Sequence, residues 1–280
     1  MKKCIICKSI RIQPLYHKIV KCQKCGHVFA YPYPSKKELQ KHYNKDYFSG
    51  GEYSNYLKDK KVFQKNFKLR LKTLQKFISP VHHKHLLEIG CAYGFFLDLV
   101  RNQFKSVLGI DISKKGVSHA RKQLKLKAIK ADFLKYDFGG QKFDVICMWD
   151  TIEHLEKPHL FLEKIKKLTK KGSLIAITTG DIESLNARLR RRKWRLIHPT
   201  THLHYFSKKT LSRLLANEGF EVIYNRYSGF YRSIDNIAYN IFILRHKWPW
   251  LYNLINKSGL GRINIYLNLY DIVYFIARRR

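Results

Sequence analysis

Short apolar runs alternate with helical patterns through the middle of the chain. Runs of four or five mostly apolar residues predict strands at 86–89, 107–110, 128–131, 145–149 and 174–178. Apolar residues that recur every three or four positions predict helices at 95–101, 113–124, 158–168 and 211–219. Two later runs predict further strands at 220–224 and 271–277. Such alternation is typical of an α/β fold in which helices cover both faces of a doubly wound parallel sheet.

The same patterns divide the chain into three parts. Its 280 residues fit one catalytic-size domain with an accessory piece. Residues 1–34 are expected to form the accessory piece, and residues 81–280 the α/β domain, with a helical insertion near 230–265. Residues 35–80 are expected to form a helical linker and cap, because apolar residues at helical spacing fill 56–78.

Four of the six cysteines lie in the first 25 residues and form two C-x2-C pairs. The pairs are Cys4 with Cys7 and Cys22 with Cys25, separated by 14 residues. Two such turns supply the four thiolates that tetrahedral zinc prefers, which predicts a structural zinc ribbon. A disulfide scaffold is the alternative, but a chain without a visible secretory signal is expected to keep its thiols reduced.

A second motif lies where the first predicted strand of the α/β domain turns into a helix. Glu88 precedes Gly90-x-Ala92-x-Gly94, and a helical pattern follows at once. A glycine permits the sharp turn, and small residues let a ligand approach the backbone. A dinucleotide-binding fingerprint differs from this motif, because its third glycine lies one residue further on.

Acidic residues also end the next two predicted strands. Asp111, followed by Ile112, ends the second strand, where a carboxylate can accept hydrogen bonds from ribose hydroxyls. Asp132 and Phe133 follow the third strand and form a polar and aromatic pair suited to an adenine ring. Because the carboxyl ends of parallel strands meet at one edge of a sheet, these positions predict an adenosine pocket.

These residues resemble those of the class I S-adenosylmethionine-dependent methyltransferases. The resemblance covers the segments E-I-G-C-A-Y-G-F-F and F-D-V-I-C-M-W-D-T-I-E-H-L, and Asp111 with Asp132-Phe133. It is strongest to the ubiquinone-type O-methyltransferase branch that carries an N-terminal Cys4 zinc ribbon. It implies a Rossmann-like sheet of seven strands with the last one antiparallel. One departure is Ala92, where many relatives have glycine.

The resemblance also implies roles for individual residues. Gly90, Ala92 and Gly94 would pack against the methionine part of S-adenosylmethionine, and Asp111 would hold its ribose. Glu88 would orient the loop or reach the ammonium group through water. Asp132 and Phe133 would hold the adenine, and Asp150 would lie near the sulfonium or cap the turn that follows it.

A hydroxyl acceptor would need a general base near the donor. His154 and Glu153 follow the fourth strand and His202 follows the fifth, so these three are the candidate catalytic residues. His202 and His204 share a face in an extended segment, but no third metal ligand is evident in the sequence. The basic run 188–195 is interpreted either as a solvated helix face or as a lid for an anionic acceptor, with Trp194 packing on a ring.

Charge and composition leave the partner open. The chain carries 55 Lys and Arg against 20 Asp and Glu, a formal net charge of +35, without a concentrated basic arm. By analogy with relatives, a saccharide, glycolipid or other small-molecule acceptor is favoured. The alternatives are an RNA methyltransferase and a non-catalytic zinc-ribbon protein that binds nucleic acid.

No secretory signal is visible, so a cytoplasmic chain is expected. Residues 237–255 are rich in Ile, Leu, Tyr and Trp beside cations. They are interpreted as a cap over the acceptor pocket or as a peripheral contact with the inner face of a membrane. The oligomeric state is left undefined.

Overall fold

A seven-stranded mixed sheet forms the centre of the protein. The structure is a computed structural model that describes residues 3–33, 57 and 59–280. Its strands are β4 (His85–Ile89), β5 (Ser106–Asp111), β6 (Ala128–Lys130), β7 (Phe143–Trp149), β8 (Thr169–Gly180), β10 (Phe220–Tyr227) and β13 (Ile272–Arg279). They lie in the order β10-β13-β8-β7-β4-β5-β6. Strand β13 runs antiparallel to both of its neighbours, whereas the pairs from β8 to β6 are parallel. The predicted Rossmann-like sheet of seven strands with an antiparallel last strand is therefore confirmed.

Helices cover this sheet on both faces. They are α1 (Lys60–Leu74), α2 (Phe95–Val100), α3 (Lys114–Lys122), α4 (Pro158–Leu168), α5 (Leu185–Arg190) and α6 (Lys208–Asn217). Helix α3 begins at Ser113, as predicted, because the Ser113 hydroxyl accepts a hydrogen bond from the Gly116 amide at 3.1 Å. Helix α1 buries Phe67, Leu71 and Leu74 against the sheet layer. Of the expected linker 35–80, residues 35–56 and 58 lie outside the described part of the chain.

The N-terminal segment forms a small sheet that extends into the α/β domain. Strands β1 (Ile12–Tyr16), β2 (Ile19–Cys22) and β3 (Val28–Ala30) pair antiparallel, and β9 (His204–Tyr205) adds to the edge of β3. The Asn217 side chain of α6 donates to the Ile6 carbonyl at 2.9 Å. The ribbon is therefore fastened to the sheet domain by β9 and by α6.

The segment expected to be a helical insertion begins and ends with a strand. Strand β11 (Phe230–Ser233) pairs antiparallel with β12 (Asn264–Leu267). Between them lie α7 (Ile234–Ala238), a π-helical segment (Tyr239–Arg245), α8 (Pro249–Lys257) and a 3-10 turn (Leu260–Arg262). Within the described ranges, no helix is both long enough and apolar enough to span a bilayer.

Candidate active site

A cavity of about 1250 Å³ opens at the carboxyl ends of β4, β5, β6 and β7. That volume exceeds the roughly 300–1,000 Å³ of a typical small-molecule site, so it can hold a donor and an acceptor together. All predicted cofactor residues except Gly94 line it: Glu88, Gly90, Ala92, Asp111, Ile112, Asp132, Phe133 and Asp150. All three predicted catalytic residues line it too: Glu153, His154 and His202. The folded chain therefore brings the two predicted groups into one cavity.

The Asp111 carboxylate fastens the turn that precedes α2. It accepts a hydrogen bond from the Ala92 amide at 2.9 Å on one oxygen and from the Ser113 amide at 2.7 Å on the other. Burial raises the pKa of Asp111 despite these two hydrogen bonds. Each carboxylate oxygen has a second lone pair, so Asp111 can accept ribose hydroxyls while it holds the loop.

The two glycines of the turn have different neighbours. Gly90 lines the cavity at φ +79°, and a Cβ there would lie 2.6 Å from the Thr151 hydroxyl. Gly94 does not line the cavity, which differs from its predicted contact with a ligand. Its φ is +80°, and a Cβ would lie 2.9 Å from both Ala120 Cβ and Leu126 Cδ1. Gly94 therefore permits close packing of the turn against α3 and the loop that follows it.

Glu88 and Asp150 are acidic residues of the cavity lining with opposite character. Glu88 is buried at the end of β4, and its Oε2 has no hydrogen-bond partner among the described residues. Burial raises the pKa of Glu88 well above its ordinary value. Asp150 is partly exposed. Its carboxylate accepts hydrogen bonds from the Arg70 guanidinium at 2.6 Å and from the Thr178 hydroxyl at 2.8 Å. Burial opposes ionisation of Asp150, but Arg70 and these hydrogen bonds outweigh it and lower its pKa.

Asp132 and Phe133 differ in how they can meet a nucleobase. Asp132 is exposed, and its carboxylate accepts the Leu134 amide at 2.9 Å. Phe133 is buried and stacks on Phe161 with ring centroids 5.1 Å apart. The Phe133 ring is therefore part of an aromatic core cluster that walls the cavity.

The three predicted catalytic residues form one cluster. One ligand atom each from Glu153, His154 and His202 lies within 4.8 Å of the others, and the two imidazole centroids are 4.7 Å apart. His154 Nδ1 lies 3.0 Å from the Thr201 carbonyl, and His202 Nδ1 lies 2.9 Å from the Leu196 carbonyl. Because a carbonyl only accepts, each ring carries a proton on Nδ1, so Nε2 is the nitrogen that can hold a lone pair when the ring is neutral.

The sequence paired His202 with His204 as possible metal ligands, but the structure places Glu153 and His154 beside His202 instead. Glu153, His154 and His202 could together hold a metal ion, whereas His204 points elsewhere. His204 Nδ1 lies 3.1 Å from His27 Nε2, inside the junction between β3 and β9. Burial, with His154 and His198 nearby, lowers the pKa of His202 well below its ordinary value, so His202 is neutral.

The basic run 188–195 does not form the lid that its sequence suggested. Trp194 is buried, and its indole donates to Asp271 at 2.9 Å, so its ring is unavailable to an acceptor. Arg195 forms an ion pair with Asp271 at 2.9 Å and lines the cavity. Residues 190–193 are exposed and lie outside the cavity lining.

Several residues of the cavity had no sequence signal. Arg70 comes from α1, and its guanidinium lies 5.4 Å from the Trp149 ring centroid. Phe230 and Tyr231 come from β11, more than 70 residues beyond β7 along the chain. Only the folded sheet brings these distant segments to one edge, which is why local motifs did not find them.

The four N-terminal cysteines converge as their spacing predicted. Cys4 Sγ lies 3.5 Å from Cys25 Sγ, and Cys7 Sγ lies 3.5 Å from Cys22 Sγ. All four sulfurs lie within 4.8 Å of one another. Tetrahedral zinc with bonds of about 2.3 Å places its sulfurs about 3.8 Å apart, so the cluster fits this ion. Burial raises the pKa of Cys4 to about 11, a cost that a bound cation would reverse.

Comparison with known proteins agrees with this geometry. Residues 59–225, more than half of the chain, match the methyltransferase-domain family. The chain belongs to the class I S-adenosylmethionine-dependent methyltransferases. This methyltransferase is 31% identical over 131 residues to the ubiquinone biosynthesis O-methyltransferase of Pelagibacter ubique, which covers 44% of the chain and 50% of that protein. It is 27% identical over 109 residues to the ubiquinone biosynthesis O-methyltransferase of Rhizobium etli, and the match covers 37% of this chain and 44% of that protein.

The methyltransferase thus spans about half the length of these curated relatives. Solved structures share its fold at lower identity. A SAM-dependent methyltransferase from Archaeoglobus fulgidus matches with a TM-score of 0.54 at 21% identity, covering 80% of this chain and 99% of that one. Magnesium protoporphyrin IX methyltransferase from Synechocystis PCC 6803, solved with bound SAH, matches with a TM-score of 0.56 at 14% identity. The match covers 88% of this chain and 100% of that one.

Proposed function

We propose that this methyltransferase moves a methyl group from S-adenosylmethionine to a hydroxyl of a saccharide or a glycan- or lipid-linked acceptor. One observation carries the proposal: the glycine turn with Asp111 and the cluster of Glu153, His154 and His202 line the same cavity. Bound S-adenosylmethionine supplies a methyl group on a sulfonium, so the protein has mainly to align the acceptor, exclude water and accept a proton.

The donor half of the cavity fits an adenosine joined to an amino acid. Asp111 accepts the ribose hydroxyls, and the small residues at Gly90 and Ala92 leave room beside the backbone. The buried, unpartnered Oε2 of Glu88 suits an ammonium group, directly or through water. Arg70, the cation that pairs with Asp150, lies at the same end and suits a carboxylate.

On the acceptor side, His154 is the base we assign. Its Nδ1 proton is held by the Thr201 carbonyl, so Nε2 is the atom that accepts a proton. His202 is less suited, because burial lowers its pKa and makes it a weaker proton acceptor. Glu153, buried within the cluster, stabilises the imidazolium that forms when His154 takes the hydroxyl proton.

The part of the lining that comes from residues 230–236 supports a saccharide acceptor. Phe230 and Tyr231 supply aromatic faces, and Arg232, Ser233 and Asn236 supply polar groups. Sugar rings have apolar C–H faces and hydroxyls at their edges, so a wall that combines aromatic rings with hydrogen-bonding side chains suits them. This wall comes from the insertion and not from the methyltransferase sheet.

Methyl transfer from labelled S-adenosylmethionine to a panel of nucleotide sugars and polyprenyl-linked saccharides tests the proposal. His154→Asn should lower kcat by about 10²–10⁴-fold, the range for loss of a general base, and leave donor affinity by calorimetry unchanged. His159→Asn is the matched control, because His159 lies five residues further on and outside the cavity lining. Full turnover of a saccharide by His154→Asn, or labelling of RNA alone, contradicts the assignment.

We further propose a structural Zn²⁺ on Cys4, Cys7, Cys22 and Cys25. The convergence of the four sulfurs supports it. Metal analysis of purified, unchelated protein should give about one zinc per chain. A folded preparation that contains almost no zinc per chain would contradict this proposal.

A further inference from the structure

The insertion between β11 and β12, together with β12 and the residues that follow it, exposes many large apolar side chains. Among the described residues between 241 and 270, ten are at least 39% exposed: Ile241, Trp248, Trp250, Leu254, Leu260, Ile263, Ile265, Tyr266, Leu269 and Tyr270. Single exposed apolar residues are ordinary on protein surfaces, but a concentration of this kind in one segment marks an interaction site.

Helix α8 shows how its residues divide between two faces. Tyr252 points inward, since its hydroxyl donates to Asp235 at 2.9 Å and its ring lies 5.6 Å from that of Tyr239. Trp250, Leu254 and Lys257 lie on the opposite face by helical spacing, because they are four and three residues apart. Trp250 is 65% exposed and Leu254 59%. We call these three residues, with Trp248 and Lys247, the α8 face.

The charge of the insertion has one sign. Residues 236–270 contain no aspartate or glutamate. They contain four exposed cations: Arg245, Lys247, Lys257 and Arg262. Lys247 immediately precedes Trp248, and Lys257 lies on the same face of α8 as Trp250. Tryptophans beside lysines on an amphipathic helix match the boundary between the headgroups and acyl chains of an anionic bilayer.

We propose that the α8 face docks on the surface of an anionic phospholipid bilayer. A second copy of the chain is a poor occupant, because two faces of the same positive charge repel each other. Nucleic acid would account for the cations but not for Leu254, Leu260 and Ile263, since aliphatic side chains do not stack on bases. An anionic bilayer accounts for both the cations and the aliphatic groups.

The insertion connects this contact to the cavity along the chain. Phe230 to Ser233 and Asn236 line the cavity, and the same segment continues into α7 and α8. The α8 face and the acceptor wall therefore belong to one continuous segment of the chain. The docking itself does not rest on the proposed methyl transfer and is measured without it.

Co-sedimentation of the full chain with vesicles tests the proposal. Vesicles of phosphatidylglycerol and phosphatidylcholine should bind the protein, and pure phosphatidylcholine vesicles should bind it weakly. Trp250→Ser/Leu254→Ser should lower the partition coefficient by about tenfold or more, through lost apolar contact. Lys247→Gln/Lys257→Gln should lower it by about fivefold per charge at low salt and by less at high salt.

Two control variants change equally exposed residues elsewhere. Val81→Ser removes a side chain that is 68% exposed, and Lys170→Gln/Lys171→Gln removes two exposed charges; neither should change partitioning. Circular dichroism checks that every variant is folded. Unchanged binding of both α8 variants, or equal binding to neutral vesicles, overturns the proposal. Concentration-dependent self-association or RNA binding that the α8 variants abolish, without vesicle binding, overturns it as well.

Discussion

Asp111 has two tasks that a single measurement can separate. Its oxygens hold the amides of Ala92 and Ser113, and by the proposed function they also accept the ribose. Asp111→Asn places an NH2 group opposite one of these amides and removes the charge. S-adenosylmethionine affinity by calorimetry should fall by about 1.5–3 kcal/mol, roughly 10- to 150-fold.

Asp137→Asn is the control for that variant. Asp137 also accepts a backbone amide, from Gly139 at 2.9 Å, but it is exposed and outside the cavity lining. It should leave donor affinity unchanged. Equal affinities in both variants would remove Asp111 from the donor site.

The raised pKa of Asp111 predicts a pH dependence. The ionised carboxylate accepts hydroxyls, and burial raises its pKa, so protonation starts at a higher pH than for an ordinary aspartate. Donor affinity should therefore decrease as the pH falls through that raised pKa. Calorimetry over a pH series measures this, and Asp111→Asn should remove the decrease. A decrease that persists in Asp111→Asn would assign the titration to another group, such as Glu88.

At the scale of single residues, the sequence predicted the parts of the site that are local. Gly90 and Asp111 were predictable because each lies at the carboxyl end of a strand: Gly90 directly follows β4, and Asp111 is the last residue of β5. Arg70, Phe230 and Tyr231 were not, because only the fold brings them to the cavity. Trp194 was misjudged because the partner that buries it, Asp271, is 77 residues away in the chain.

At the scale of elements, Gly94 is a packing residue. It lies at φ +80° where the turn meets α3, and a Cβ would lie 2.9 Å from Ala120 and Leu126. Gly94→Ala should therefore combine left-handed strain with overpacking. Gly140 has nearly the same φ, +78°, and no atom of the described residues lies within 4 Å of its added Cβ. Gly140→Ala thus carries the strain alone.

The comparison of the two variants gives the prediction. In chemical denaturation, Gly94→Ala should lower the free energy of unfolding by about 1–3 kcal/mol more than Gly140→Ala does. Equal losses would show that the turn yields around the added methyl group, and the packing role of Gly94 would be wrong.

The bounds of a helix or strand were predictable where the apolar pattern extends over the whole element. Helix α4 spans the predicted residues 158–168, because Pro158 begins it and its apolar spacing persists to Leu168. Strand β8 begins five residues before its predicted start at 174. Lys170 and Lys171 are exposed there, and Thr169 pairs with Phe143 before a register shift, after which pairing resumes at Leu174, so the first residues of β8 carry no apolar side-chain pattern. The strands at the ends of the insertion were missed because β11 and β12 are short and half-buried.

At the scale of the whole molecule, the cysteine ribbon supports the acceptor side of the cavity. Strand β3 pairs with β9, and the Ala30 amide donates to the Leu203 carbonyl at 2.9 Å. The Leu203 amide in turn donates to the Glu153 carbonyl at 2.8 Å. The ribbon therefore connects through two backbone hydrogen bonds to the cluster proposed for proton transfer.

The donor side of the cavity has a different support. Asp111 and the Gly90 turn are held by β4, β5 and the amides of Ala92 and Ser113. Removal of the proposed zinc, by chelation or by Cys4→Ser/Cys25→Ser, should consequently lower kcat without changing donor affinity. A displacement of about 1 Å in a catalytic group can lower turnover about 10²-fold, which sets the expected size. Restored zinc should restore kcat in the chelated wild-type protein and not in the double variant. If a folded, zinc-free protein keeps full turnover, or loses donor affinity in proportion to kcat, the ribbon does not act through β9 on the acceptor cluster.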